Sequence, residues 1–191
     1  MKIAVDLDGV LYRFELTMRY LLREERNVQA DMHTPSRYWD DVLDRCTPAD
    51  RRWLWKEGVE QYGLFRHGHV EKHAMRGIRA LARKGFELYV VTHRPASATR
   101  DTLAWLDFHF GAEQPYPFAG APIMLHTGEP KSQVDADILI DDKPDNIYEW
   151  MYAGGSGFLF DQPWNQSATL GTRVYGWYGV LRELGVDPHY E

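Results

Sequence analysis

The sequence predicts an α/β protein in which a parallel β-sheet is covered by helices on both faces and a small helical segment follows the first strand. Three observations predict this class. Short apolar runs alternate with helical patterns over most of the chain, which is typical of parallel sheets. Residues 13–76 break that alternation. The length of 191 residues is sufficient for one full-sized core.

The first predicted strand lies in segment 2–9, where a short apolar run meets Asp6 and ends at a glycine turn. A helix then stops at Gly85, after two basic residues in its last turn. Further strands are predicted at 86–91, 122–126, 137–140 and 157–160, and further helices at 97–110 and 144–153. The second of these helices begins at a proline and stops before two glycines.

Residues 13–76 are rich in arginine and tryptophan, helical in character and without a good buried strand. We interpret them as a helical cap inserted between the first and second strands. The predicted core then consists of residues 1–12 and 77–191.

Composition limits the classes of partner and compartment. The net charge is −6, and residues 111–191 carry twelve acidic against four basic side chains. Such a surface repels a long polyanion, so we expect no long nucleic acid as a partner. Cys46 is the only cysteine, which excludes an internal disulfide and fits a reducing compartment. With no apolar stretch of the roughly 20 residues that span a bilayer, we expect a cytoplasmic protein without membrane contact.

Polar clusters follow three of the predicted strands. In a parallel α/β sheet, ligands bind outside the carboxyl ends of the strands. The sequence therefore predicts a functional site at one edge of the sheet. The clusters are Asp6-Leu7-Asp8, Thr92-His93-Arg94 and Asp141-Asp142.

Asp6 and Asp8 are two residues apart at a strand end, so their side chains leave on the same face. Two adjacent carboxylates repel each other unless a cation lies between them or one is protonated. Both arrangements suit phosphoryl transfer, in which one carboxylate attacks phosphorus and the other protonates the leaving alkoxide. The alternative is a strand followed by an ordinary Asp-Gly turn.

The pair Asp141-Asp142 follows a second apolar strand. Magnesium binds hard oxygen ligands and retains several waters, so one or two carboxylates and a substrate phosphate suffice to hold it. The alternative is a helix N-terminus, where acids are also favoured. Thr92 offers a hydroxyl followed by backbone amides, and Lys131 offers a charge for a phosphate. The alternative for Thr92 is an ordinary strand-end threonine, and the alternative for Lys131 is a solvated lysine, both of which are common.

Taken in chain order, these signals resemble the four motifs of the haloacid dehalogenase-like hydrolase superfamily. The resemblance implies that Asp6 is the nucleophile and a magnesium ligand. It implies that Asp8 is the general acid/base, with a backbone carbonyl on the metal, and that Thr92 and Lys131 bind phosphate. Of the acidic pair, Asp142 is favoured as the direct ligand and Asp141 as a ligand through water. The motifs are Asp6 with Asp8, Thr92, Lys131, and Asp141 with Asp142.

Longer segments resemble the 5'(3')-deoxyribonucleotidases, a family of this superfamily with a small helical cap. These segments are Asp6–Leu11 with Phe14, and 139–144, 158–165 and 173–177. A cap that closes over a nucleoside requires aromatic faces for the base. The resemblance favours Phe14, Trp39 and Trp55, then Tyr38 and Phe65. The alternative is that these rings form the small core of the cap itself.

The sequence thus predicts hydrolysis of (deoxy)ribonucleoside 5'- or 3'-monophosphates through an aspartyl phosphate on Asp6. The alternatives are a 3'-phosphatase of nucleic acids, a phosphatase of other small phosphomonoesters, and an inactive nucleotide-binding protein. His93 and Arg94 depart from the small residues typical of the family after the threonine. We include them as candidate substrate contacts. Family members are often dimers, so a homodimer is a further expectation.

Overall fold

The computed structural model describes residues 1–30, 32, 40–113 and 115–187. A sheet of six strands forms its centre, in the order β3-β2-β1-β4-β5-β6, and every neighbouring pair is parallel. The strands are β1 (Lys2–Val5), β2 (Glu87–Thr92), β3 (Ile123–Met124), β4 (Ile138–Asp141), β5 (Ser156–Phe160) and β6 (Thr172–Val174).

The described residues also form six α-helices. They are α1 (Phe14–Arg26), α2 (Pro48–Trp53), α3 (Ala74–Arg83), α4 (Thr99–Phe110), α5 (Pro144–Tyr152) and α6 (Gly176–Glu183). Alternate residues of each buried strand face opposite sides of the sheet. Ala4 and Leu139 pack with α5, whereas Ile3 and Val5 belong to the cluster that contains α3, α4 and α6. The helices therefore cover both faces, and the predicted three-layer α/β architecture is confirmed.

The strand order explains where the site forms. From β1 the chain proceeds outward through β2 to β3, then returns to β4 on the other side of β1 and continues to β5 and β6. Right-handed crossovers place α3 and α4, which connect β1 to β2 and β2 to β3, on one face, and α5, which connects β4 to β5, on the other. A crevice opens where the direction reverses, beyond the carboxyl ends of β1 and β4. The residues that follow β1, β2 and β4 therefore meet at one place.

The described part of the segment between β1 and α3 contains several helices. It contains α1, a 3₁₀ turn at Asp41–Arg45 and α2, which continues into a π-helical turn at Leu54–Gly58. Thr47 caps α2 in a capping box, and Pro48 is its first residue. Apolar side chains of α1 lie in the same buried cluster as those of β1. Because α3 already begins at residue 74, the exact division at 13–76 stays a prediction.

Two features differ from the sequence-based expectations. Strand β3 has only two residues instead of the predicted five, and β6 was not expected. Strand β6 reads Thr-Arg-Val at the edge of the sheet, and only Val174 is fully buried. An edge strand this short has no apolar run to reveal it. Among the described helices, none is long and apolar enough to cross a membrane.

Candidate active site

Three buried carboxylates lie at the carboxyl ends of β1 and β4. Asp6 follows β1 directly, and its backbone N–H donates to the carbonyl of Ile140 at 3.0 Å. Oxygen atoms of Asp6, Asp141 and Asp142 lie within 4.8 Å of one another. In the described part of the chain, they are the one group of three or more acidic, histidine or cysteine ligands spaced to hold a metal ion. The structure thus brings together three residues that the sequence analysis names as candidate metal ligands.

Lys131 is the buried cation of this cluster. Its Nζ lies 2.6 Å from Oδ1 of Asp6 and 2.6 Å from Oδ2 of Asp141. Burial alone would lower the pKa of Lys131, but the charges of Asp141 and Asp6 outweigh it and raise that pKa. The lysine is therefore held in its charged form between the two carboxylates, and it fixes the rotamer of Asp6.

The carboxylate of Asp141 is fully engaged by protein donors. Besides Lys131, its Oδ2 accepts from Nδ2 of Asn146 at 2.9 Å, and its Oδ1 accepts from the backbone N–H of Lys143 at 2.8 Å. Both oxygens are thus already bound within the protein. This arrangement fits a residue that holds Lys131 in position better than one that ligates a cation directly.

Asp142 differs from Asp141, because only one of its two carboxylate oxygens accepts a hydrogen bond from the protein. Its Oδ2 accepts from Nε1 of Trp164 at 2.6 Å, and its backbone carbonyl accepts from Nδ2 of Asn165 at 2.8 Å. Its Oδ1 is buried without a hydrogen-bond partner. Burial and the charges of Asp141 and Asp6 raise the pKa of Asp142 well above its ordinary range.

A cation fits this set of residues. A buried carboxylate oxygen without a donor is costly unless a ligand completes it. Burial raises the pKa of Asp6 to about 6, with Lys131 opposing the shift and the charges of Asp141 and Asp8 adding to it. Three carboxylates therefore face one ammonium group, and a bound cation would offset the remaining negative charge. Oxygen ligands of this kind suit a hard cation.

Gly9 provides the space that Asp142 occupies. Its φ is +86°, and a Cβ on it would lie 2.5 Å from Oδ2 of Asp142. Its carbonyl also accepts from Nε2 of Gln162 at 2.6 Å. The glycine after Asp8 is therefore required both for the backbone conformation and for the close approach of the second acidic pair.

Asp8 lies apart from the three-carboxylate cluster, on the wall of the same cleft. Its carboxylate is paired with Arg94, whose Nη2 donates to Oδ1 at 2.7 Å and whose Nε donates to Oδ2 at 3.0 Å. The side chain of Asp8 is 23% exposed, whereas that of Arg94 is fully buried. Asp6 and Asp8 are thus placed in different surroundings, although they are only two residues apart.

The remaining predicted phosphate contacts also line the cleft. Thr92 ends β2 and is buried, and its Oγ1 accepts from the backbone N–H of Arg94 at 3.4 Å. Nε2 of His93 lies 2.8 Å from the carbonyl of Glu129, so this ring holds the loop that precedes Lys131. Thr92, His93 and Lys131 therefore converge on the space above Asp6.

Three of the five predicted base-stacking aromatics line this cleft: Phe14, Trp55 and Phe65. The Phe14 ring stacks with both of the others, with ring centroids 5.4 Å from Phe65 and 6.1 Å from Trp55. Phe14 and Phe65 are buried, and Trp55 is 42% exposed. Trp55 therefore offers the most accessible ring face. Tyr38 and Trp39 lie outside the described residues.

Four residues of the site were not identified from the sequence: Gly9, Asn146, Trp164 and Asn165. Trp164 and Asn165 belong to the segment 158–165, which carried the family resemblance without an assigned role. Asn165 also accepts from Nη1 of Arg173 at 2.8 Å, which holds its amide in place. Trp164 and Asn165 fix the orientation of Asp142, and a contact of this kind has no signature in local sequence.

Comparisons with known proteins agree with this geometry. A sequence model of the family described as "5' nucleotidase, deoxy (Pyrimidine), cytosolic type C protein" matches residues 1–184. A protein of Chlorobaculum tepidum named "Putative 5'(3')-deoxyribonucleotidase" is 31% identical over 153 residues, which are 76% of this chain and 71% of that one. A "Putative nucleotidase" of Oceanobacillus iheyensis is 21% identical over 190 residues, which are 95% and 98% of the two chains.

Solved structures share the fold at low sequence identity. A haloacid dehalogenase-family hydrolase from Deinococcus radiodurans, solved with bound phosphate and sodium, has a TM-score of 0.63 at 14% identity over 96% of this chain and 94% of that one. A D,D-heptose 1,7-bisphosphate phosphatase from B. bronchiseptica, complexed with magnesium and phosphate, has a TM-score of 0.53 at 14% identity over 96% and 98%. At these identities the likeness concerns the fold alone.

Proposed function

We propose that this chain, which belongs to the cytosolic type C 5'-deoxynucleotidase family, hydrolyses nucleoside monophosphates with Mg²⁺ through an aspartyl phosphate on Asp6. The family assignment supports a nucleotide phosphomonoesterase of the haloacid dehalogenase superfamily. One observation carries the proposal from the site itself. The buried cluster of Asp6, Lys131 and Asp142, with one carboxylate oxygen unpaired, opens into a cleft walled by aromatic rings.

In the first step, a carboxylate oxygen of Asp6 forms a bond to phosphorus and the ester P–O bond breaks. The leaving nucleoside oxygen receives a proton from Asp8, which yields the nucleoside and an aspartyl phosphate. In the second step, water attacks phosphorus, gives a proton to Asp8 and releases inorganic phosphate from Asp6. Each step therefore begins with Asp8 in the protonation state that the previous step left.

Lys131 and Thr92 are proposed to receive the phosphate oxygens. The charge of Lys131 balances the negative charge of Asp6 as it approaches a phosphate dianion, and the Lys131 bond to Oδ1 holds the nucleophile in place. Thr92 offers its hydroxyl, and the backbone amides after it offer further donors. Electrostatic stabilisation of this kind acts most strongly in a buried site.

Asp142 Oδ1, Asp6 and the backbone carbonyl of Asp8 are the proposed ligands of Mg²⁺. A magnesium ion supplies charge that lowers repulsion between the carboxylate nucleophile and the phosphate. The engaged oxygens of Asp141 support its placement behind Lys131, with any contact to the ion through water. The open Oδ1 of Asp142 supports it as the direct ligand.

The small nucleotide substrate is supported by the aromatic wall and by the names of the relatives. The exposed face of Trp55 is the proposed platform for the base, with Phe14 and Phe65 behind it. Action in the cytoplasm and assembly as a homodimer stay predictions.

A phosphate-release screen with Mg²⁺ tests the proposal. The panel contains dUMP, dTMP, UMP, a nucleoside 3'-monophosphate, two sugar phosphates and a 3'-phosphorylated oligonucleotide. We expect the nucleoside monophosphates to be the best substrates, EDTA to remove activity and Mg²⁺ to restore it. Asp6→Asn is the matched control, since it preserves shape and should lower turnover by several orders of magnitude. Faster release from sugar phosphates or from the oligonucleotide would overturn the substrate class, and near-normal activity of Asp6→Asn would overturn the covalent mechanism.

A further inference from the structure

Arg94 is the one buried arginine among the described residues of the cleft, and all three nitrogens of its guanidinium group donate hydrogen bonds. Two of them, Nε and Nη2, form a side-on pair with the carboxylate of Asp8. The third, Nη1, donates to Oγ1 of Thr102 at 3.1 Å and to the carbonyl of Phe65 at 3.4 Å. A guanidinium fork of this kind fixes a carboxylate in both position and plane.

Two aromatic rings lie against this guanidinium group. Its central carbon lies 4.4 Å from the ring centroid of Tyr12 and 4.7 Å from that of Phe65. Tyr12 is itself fixed, because its hydroxyl donates to the carbonyl of Leu64 at 2.6 Å and accepts from the backbone N–H of Gly68 at 2.8 Å. Cation–π contacts strengthen when both groups are desolvated. The arginine therefore has a single well-defined position.

The contacts around Arg94 join parts of the chain that are far apart in sequence. Thr102 lies on α4 and Asp8 follows β1, while Phe65 belongs to the segment predicted as the cap. Phe65 also stacks on Phe14, the central ring of the aromatic wall. The position of the Asp8 carboxylate is thus set by a rigid contact between the sheet edge, α4 and the aromatic wall.

The geometry points to Arg94 as a positioning residue for Asp8, not as a ligand of the substrate phosphate. This inference rests on the proposed function, in which Asp8 gives a proton to the leaving oxygen. Arg94 holds the carboxylate on the cleft wall so that it meets the leaving oxygen without rearrangement. Nε and Nη1 have acceptors for all of their N–H groups, and Nη2 gives one of its two N–H groups to Asp8, so at most the second N–H of Nη2 is open to a phosphate.

Leaving-group dependence separates these two roles. A nucleoside leaves as an alkoxide and needs the proton from Asp8, whereas p-nitrophenolate is a stable anion and needs little acid assistance. The constant kcat/KM reports the first step, in which the leaving group departs. A positioned acid contributes about 10²–10⁴-fold, and a displacement of about 1 Å can cost about 10²-fold.

The experiment measures kcat/KM of Arg94→Met with a nucleoside monophosphate and with p-nitrophenyl phosphate. We expect a loss of about 100-fold with the nucleotide and of less than about 5-fold with the aryl ester. The inhibition constant of inorganic phosphate for Arg94→Met should stay within about 3-fold of the wild-type value. Equal losses with both substrates, or phosphate inhibition weakened by more than about 10-fold, would overturn the inference in favour of a structural or phosphate-binding role.

A double-mutant cycle adds an independent criterion. If Arg94 acts through Asp8, then Arg94→Met added to Asp8→Asn should cost no more than about 3-fold beyond Asp8→Asn alone. If the loss in the double variant equalled the product of the losses in the two single variants, that coupling would be refuted. Arg79→Met is the matched control, because it removes an arginine paired with Glu113 at 2.5 Å on α3, away from the cleft. It should leave both activities within about 2-fold.

Thr102→Val keeps the test decisive if Arg94→Met does not fold. Valine has the shape of threonine but offers no acceptor to Nη1, and Thr102 does not line the cleft. We expect a smaller loss of the same kind, about 5-fold with the nucleotide and none with the aryl ester. Unchanged activity with both substrates would overturn the inference. A wild-type protein that hydrolyses neither substrate would instead refute the proposed function.

Discussion

The substitution Asp6→Asn should stabilise the metal-free protein, and the gain should grow with pH. Burial raises the pKa of Asp6 from its ordinary value of 3.8 to about 6 in the folded chain. A carboxyl group whose pKa is raised on folding is bound to its proton more tightly in the folded than in the unfolded state. Its stabilising effect is therefore complete below about pH 4 and is lost as the pH rises through about 6.

The size of this effect follows from the difference between the two pKa values. At about 1.4 kcal/mol per pH unit, it corresponds to about 3 kcal/mol. Asparagine cannot ionise and so avoids this cost. In EDTA, the free energy of unfolding of Asp6→Asn relative to the wild type should rise by about 3 kcal/mol between about pH 4 and pH 7. Asp101→Asn on α4 is the control, because it also replaces a carboxylate by an amide but lies outside the cluster of Asp6, Asp141 and Asp142.

Urea unfolding followed by tryptophan fluorescence measures this difference. The series runs between about pH 4 and pH 7.5 in EDTA, and the same series is repeated with Mg²⁺. Bound Mg²⁺ should stabilise the wild type more than the variant, since Asp6 is a proposed ligand. A relative stability that does not change with pH, or that falls toward neutral pH, would refute the reasoning that burial governs the charge of Asp6.

Three further outcomes are expected. Gly9→Ala should weaken Mg²⁺ binding and activity at least about 10-fold, because its Cβ would displace Asp142 and the backbone φ of +86° is strained for alanine; unchanged magnesium affinity by calorimetry would contradict this. Trp164→Phe should weaken Mg²⁺ binding about 10-fold through loss of the bond to Asp142, with the nucleotide KM at saturating metal little changed. Trp55→Ala should raise the nucleotide KM about 10-fold and leave p-nitrophenyl phosphate unaffected, whereas Phe108→Ala, an exposed aromatic on α4, should change neither.

Much of the candidate site could be predicted from the sequence because its signals are local. The alternation of apolar strands and helices predicted the layered fold, and the polar residues after three strands predicted where the site forms. Parallel strands end at the same edge of a sheet, so position in the chain alone brought Asp6 together with Thr92 and Asp142. The order of the motifs added Lys131, which no local pattern distinguishes from a solvated lysine.

Other parts of the site could not be predicted, because they depend on contacts between distant segments. Strand β6 has only one fully buried residue, so its pairing with β5 decides its structure. The distinct roles of Asp141 and Asp142 depend on which donors reach each carboxylate, and Trp164 and Asn146 supply them from other elements.

Asp6 and Asp8 show most clearly the difference between what local sequence determines and what tertiary packing decides. The sequence by itself determined that two carboxylates leave the end of one strand on the same face. Only the tertiary structure decided that Asp6 is paired with a lysine 125 residues away and Asp8 with an arginine 86 residues away. The strand period sets the direction of a side chain, but its charge environment is set by whatever the fold packs against it, and that packing is not encoded locally.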